Sequence, residues 1–70
     1  MTYIRVTAFN FPREFDNNES GRNKAFEAIK ELTKDEFLAI EVESWCELAT
    51  VGEVYEGEIF TVEIFADETD

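Results

Sequence analysis

The sequence predicts an α+β fold, and three observations carry that expectation. Three stretches alternate apolar and polar residues with the period of a strand, one stretch between them repeats with the period of a helix, and 44% of the residues are apolar with only one Pro and three Gly. The last point separates the chain from disordered sequences, which are poor in apolar residues when they carry a net charge as large as -11. At 70 residues a chain buries only ~60% of the surface its unfolded form exposes. One core and a single domain over 1–70 are therefore expected.

The elements follow in order. From Thr2 to Phe11 the run Tyr3-Ile4-Arg5-Val6-Thr7-Ala8-Phe9 is β-branched, aromatic and alternating, and Pro12 ends ladder pairing, so this is the first strand. Arg13 to Glu19 is polar and turn-like. Asn18 or Ser20 caps a helix that runs to about Lys34, with Ala25, Phe26, Ala28, Ile29 and Leu32 on one face and Glu27, Lys30, Glu31 and Lys34 on the other. After Asp35-Glu36 a period of two returns. It sets Leu38, Ile40, Val42, Ser44, Cys46 and Leu48 against Phe37, Ala39, Glu41, Glu43, Trp45 and Glu47, which reads as a long second strand. Ala49 to Gly57 is a wide turn, and Glu58 to about Asp67 is a third strand, with Phe60, Val62, Ile64 and Ala66 on one face. The order is β-α-β-β. The third strand is the most continuously apolar and is expected in the centre, giving a three-stranded antiparallel sheet of order 1-3-2 with one helix on one face. The last residues, 67–70, form an acidic tail.

Charge is distributed unevenly. All six basic residues lie within residues 1–34, where five acids leave a balance of +1, while residues 35–70 hold twelve acids and no Lys or Arg. Self-repulsion of this size destabilises a compact state. Solubility alone is served by a smaller total with both signs interspersed.

Most chemistry is excluded by inventory. There is no His and one Cys, so neither a Ser/His or Cys/His pair, nor an internal disulfide, nor the usual zinc set can form, and Cys46 reads as a small buried apolar residue. Gly21, Gly52 and Gly57 stand alone, which excludes a phosphate-binding loop, and the acids lack the spacing of a calcium loop. Carboxylate pairs such as Glu41 with Glu43 occur at the frequency expected of so acidic a chain. The expectation is a non-enzyme with no catalytic residues, no metal and no cofactor. The acidic half disfavours direct nucleic-acid binding. The absence of a leader and of any long apolar run points to the cytoplasm and away from a membrane.

A one-helix architecture leaves one sheet face open. That face would present Tyr3, Phe9, Trp45 and Phe65 among Glu41, Glu43, Glu47 and Glu63, an apolar patch rimmed by carboxylates of the kind that marks an interface. Carboxylates on a rigid scaffold with few counter-charges can stand in for phosphates in the groove of a DNA-binding protein. In size and composition the chain resembles the small acidic inhibitors that bacteriophages and mobile elements direct against host defence or DNA-processing proteins, a class that includes anti-restriction proteins, anti-CRISPR proteins and inhibitors of uracil-DNA glycosylase. The resemblance implies a stoichiometric inhibitor of a basic, nucleic-acid-handling host protein, acting in the host cytoplasm. Its contacts would be Glu41, Glu43, Glu47, Glu53, Glu56, Glu58 and Glu63, with Trp45 and Phe65 beside them. The alternatives are a homodimeric structural or regulatory subunit closed through Phe9, Trp45 and Phe65, and an antitoxin or immunity protein against a basic nuclease.

Overall fold

The computed structural model describes residues 2–66; the acidic tail expected at 67–70 lies outside them. Six elements follow one another: β1 (Thr2–Ala8), β2 (Phe11–Asp16), α1 (Glu19–Thr33), α2 (Glu36–Leu48), β3 (Val54–Glu56) and β4 (Phe60–Ala66). The strands form one antiparallel sheet in the order β2-β1-β4-β3, and both helices pack on the same face. The α+β class and the antiparallel sheet are as expected. The strand and helix counts are corrected, from three strands and one helix to four and two, and the order 1-3-2 falls with them. The first and last expected strands do pair at the sheet centre, Ile4 opposite Ile64 and Val6 opposite Val62.

The extra strand β2 lies where a polar turn was expected. Phe9 and Asn10 both have positive φ, 54° and 65°, which is the two-residue turn whose twist matches a hairpin. Pro12 does not stop pairing, because of where it falls. Asn17 donates to the Thr2 carbonyl at 3.0 Å, and hydrogen-bonded and non-hydrogen-bonded pairs alternate along an antiparallel ladder. Thr7 opposite Pro12 is therefore a non-hydrogen-bonded pair on an edge strand, where a missing N–H costs nothing.

Helix α1 matches its expected range. The Asn18 side chain caps it by accepting from the Gly21 N–H at 2.7 Å, and Lys34 ends it at φ 59°. Gly21 is required by close approach, since a Cβ there would sit 1.7 Å from the Asp16 carbonyl oxygen.

The long second strand expected over 37–48 is instead α2. The Asp35 carboxylate caps it by accepting from the Leu38 N–H at 3.1 Å, with Glu36 in the first turn. Ala39, Val42 and Cys46 are buried, and Leu38, Trp45 and Ala49 pack beside them. That inward stripe has helical spacing. A strand would have required Ile40, Ser44 and Leu48 inside, and all three are exposed. The core is completed by Ile4, Val6, Ala25, Ile29, Phe60, Val62 and Ile64.

Candidate functional site: the acidic helix and the closing hairpin

Two consequences of the fold relocate the site. With α2 a helix, Glu41, Glu43, Glu47 and Trp45 leave the sheet altogether. The open sheet face, expected to be the working surface, is instead partly neutralised from within the molecule. Its centre is Arg5, whose guanidinium reaches Glu14 at 3.1 Å and Glu63 at 3.3 Å and lies 4.4 Å above the ring of Phe65. Phe65 in turn stacks on Tyr3, with ring centroids 5.4 Å apart. Glu63 and Phe65 are thus engaged within the molecule. Phe9 stands apart from both at the tip of the first hairpin, 76% exposed. No single face contains Phe9, Trp45 and Phe65, so the dimer surface drawn through those three residues is not formed.

The remaining expected contacts gather on α2 and the β3–β4 hairpin. Glu41 accepts a hydrogen bond from the Tyr55 hydroxyl at 2.5 Å, and Trp45 meets the Tyr55 ring edge-on, with centroids 5.6 Å apart. These two contacts fix the helix to β3. Glu56 lies on β3 opposite Thr61 and Glu58 lies in the following turn. Glu53, in the turn before β3, accepts from the Thr50 hydroxyl at 2.9 Å. A groove lined by Asp35, Leu38, Tyr55, Glu56 and Glu58 joins the start of the helix to the hairpin. Five of the seven expected acids, Glu41, Glu43, Glu47, Glu53 and Glu58, therefore lie on α2 and the turns flanking β3, while Glu56, opposite Thr61, shares the open sheet face with Glu63.

At 100° per residue, the side of α2 opposite Ala39, Val42 and Cys46 carries Ile40, Ser44, Phe37 and Leu48 in one strip. Glu36, Glu43 and Glu47 border it on the side of α1, where Glu43 and Glu47 line a groove with Glu19, Arg22 and Asn23. Glu41 borders it on the side of β3. Arg22 is held by Asn17, donating to its side-chain oxygen at 3.1 Å. Among the described residues, no salt bridge within 4.0 Å joins a carboxylate of α2 to a basic side chain. The last turn of α2 has no basic residue and contains Glu47, a carboxylate set against the negative end of the helix dipole.

The exposed apolar strip was not expected from the sequence. Reading 37–48 as a strand put Ile40 and Leu48 in the core, whereas Ile40 is 47% and Leu48 84% exposed, and Phe37 is 85% exposed. The signal that locates it is Asp35 as a cap followed by sixteen residues without Gly or Pro, too long a run for an ordinary strand.

Two groups have perturbed acidity. Burial pushes the Cys46 thiol up to about 11, with Glu43 adding to the rise and Arg22 opposing it, so at neutral pH it is a protonated core residue. The hydrogen bond to Glu41 raises the Tyr55 hydroxyl above its ordinary value, with burial and the Glu41 charge adding to it. Among the described residues no helix is long and apolar enough to cross a membrane, and no three His, Cys, Asp or Glu side chains converge to hold a metal ion. The chain matches no family model, and comparison with curated proteins and with solved structures likewise finds no match.

Proposed function

We propose that the protein is a stoichiometric inhibitor of a basic, nucleic-acid-handling host protein, and that it binds through α2 and the β3–β4 hairpin in place of DNA. One observation carries this reading: from Asp35 to Ala66 there is no Lys or Arg, and Asp35, Glu36, Glu41, Glu43, Glu47, Glu53, Glu56 and Glu58 lie on two adjoining elements that Tyr55 ties together. Unneutralised carboxylates on a rigid frame attract a basic surface over a Debye length of ~8 Å and speed its association. Complementary potentials of this kind set association rate and choice of partner more than raw affinity.

The test is capture by tagged protein from host lysate at low and moderate salt, followed by challenge with duplex DNA. The reading requires that a basic nucleic-acid-binding protein is retained, that duplex DNA displaces it, and that Glu41→Gln/Glu43→Gln/Glu47→Gln abolishes retention. Retention that DNA leaves untouched would rule out occupation of a DNA site. An antitoxin or immunity role against a basic nuclease uses the same surface, and a retained nuclease encoded beside this chain would assign it.

A further inference from the structure

We propose that the outer strip of α2 is a docking surface for one kind of occupant: a cationic amphipathic helix of a protein partner, apolar along its centre and rich in Lys or Arg along both margins. This rests on the reading that the partner is basic, and it states what part of that partner is gripped. A surface that only imitated phosphate would be carboxylate throughout. This one is apolar in the middle: Phe37 and Leu48 are 85% and 84% exposed, and with Ile40 and Ser44 they form a line along the helix. Large exposed apolar side chains in one row, bordered by charge, mark an interface.

The geometry selects a helix. Phe37 and Leu48 are eleven positions apart, or about 16 Å along the axis, which is three turns of a partner packed alongside, whose side chains at every third or fourth position would meet the row. Charge selects its margins. Glu36, Glu43 and Glu47 flank the row on one side and Glu41 on the other, and none of them has a salt bridge to a basic side chain among the described residues. The same charges exclude symmetric pairing with the α2 of a second copy, because two strips face to face would bring carboxylate onto carboxylate. They also exclude an anionic lipid surface. The strip is convex, so it offers no enclosure to a small molecule.

The experiment titrates the whole protein with a synthetic Leu/Lys amphipathic peptide of about five helical turns, and in parallel with oligolysine of the same length, by calorimetry at moderate salt. The amphipathic peptide is expected to bind at least about tenfold more tightly than oligolysine. Phe37→Ser/Leu48→Ser is expected to erase that difference, and Ile40→Ser to reduce it. Phe9→Ser/Phe11→Ser, which removes two equally exposed rings from the far hairpin, is expected to leave it intact. The substituted side chains are on the surface, so circular dichroism should show each variant folded. Equal binding of the two peptides overturns the proposal and leaves a purely electrostatic surface, with the inhibitor reading untouched. Equal losses from both double variants overturn it as general stickiness. Failure to capture any basic protein from lysate, with the peptide discrimination preserved, would instead remove the inhibitor reading and keep the docking strip.

Discussion

The two halves of the chain are built alike and charged differently. Residues 2–34 supply a hairpin followed by a helix, and residues 35–66 supply a helix followed by a hairpin, so that β1 and β4 meet at the centre of the sheet and α1 and α2 lie over it. In the first half cations have local partners: Arg5 bridges Glu14 and reaches across to Glu63, Arg13 lies over Phe15, and Lys30 lies over Phe26. In the second half that contact of Glu63 with Arg5 is the one salt bridge among the described residues, and the other carboxylates with described hydrogen bonds have neutral partners: the Leu38 N–H for Asp35, Tyr55 for Glu41 and Thr50 for Glu53. The architecture does not need that difference, since one half shows the same kinds of element stabilised with balanced charge. The second half therefore carries an electrostatic cost that the fold does not explain, which is what a surface completed by a basic partner requires.

The largest expected effect breaks the first half. Gly21→Ala places a Cβ against the Asp16 backbone, which cannot swing aside, and should cost about 3 kcal/mol, read as a fall in the urea midpoint. A loss below about 0.5 kcal/mol would mean that the close approach between β2 and α1 is not rigid. Phe9→Asn should act in the opposite direction. A Phe at positive φ is strained, and Asn tolerates that conformation, so the variant should gain about 1 kcal/mol. A neutral or negative result would indicate that Phe9 makes a compensating contact.

The second half is sharpened by Glu47→Lys. It removes a carboxylate from the C-terminal end of α2 and a like-charge pair with Glu43 one turn away, and should stabilise the protein by about 0.7 kcal/mol at low salt, less at high salt, while weakening capture of a basic partner. Stabilisation without weaker capture would separate the charge of the second half from its proposed role. The smallest effect is at alkaline pH. Cys46 and Tyr55 both hold their protons more tightly folded than unfolded, so their contribution is complete below the unfolded values and is lost as pH rises, for Cys46 from 9.0 through about 11. Urea midpoints should decline over that window. Tyr55→Phe should make the decline shallower, and a profile identical to the parent would show that the Tyr55 hydrogen bond to Glu41 contributes nothing measurable.

Much of the fold was legible because some segments have only one period. Ile4 and Val6 in β1, Val62 and Ile64 in β4, and Ala25 and Ile29 in α1 lie on the apolar side of a single period, and all are buried. The segment 37–48 misled because its apolar residues satisfy two periods at once: Leu38, Val42 and Cys46 are four apart as well as even-numbered. Length and the Asp35 cap decide between them, and both favour the helix. Strand β2 was hidden for a different reason. It is an edge strand in which only Phe15 packs against the core, so its composition is that of a loop. The candidate site inherited the first error. The acids were recognised by composition, but the surface they occupy depends on the period of α2, and the exposed row of Phe37, Ile40 and Leu48 appears only once that period is right.

The position of Pro12 bears on how this protein can associate at all. A sheet of four antiparallel strands has two free edges, and a free edge is a template onto which another chain can lay a strand. On β2 the outward-facing donor at residue 12 is missing, because the residue that should supply it is Pro12. On the other side β3 runs for only three residues, Val54–Glu56, and two of its neighbours in the adjoining turns, Glu53 and Glu58, are acidic. Both edges are thereby poor starting points for sheet extension or fibril growth. Association is directed to the faces of the molecule and away from its rims.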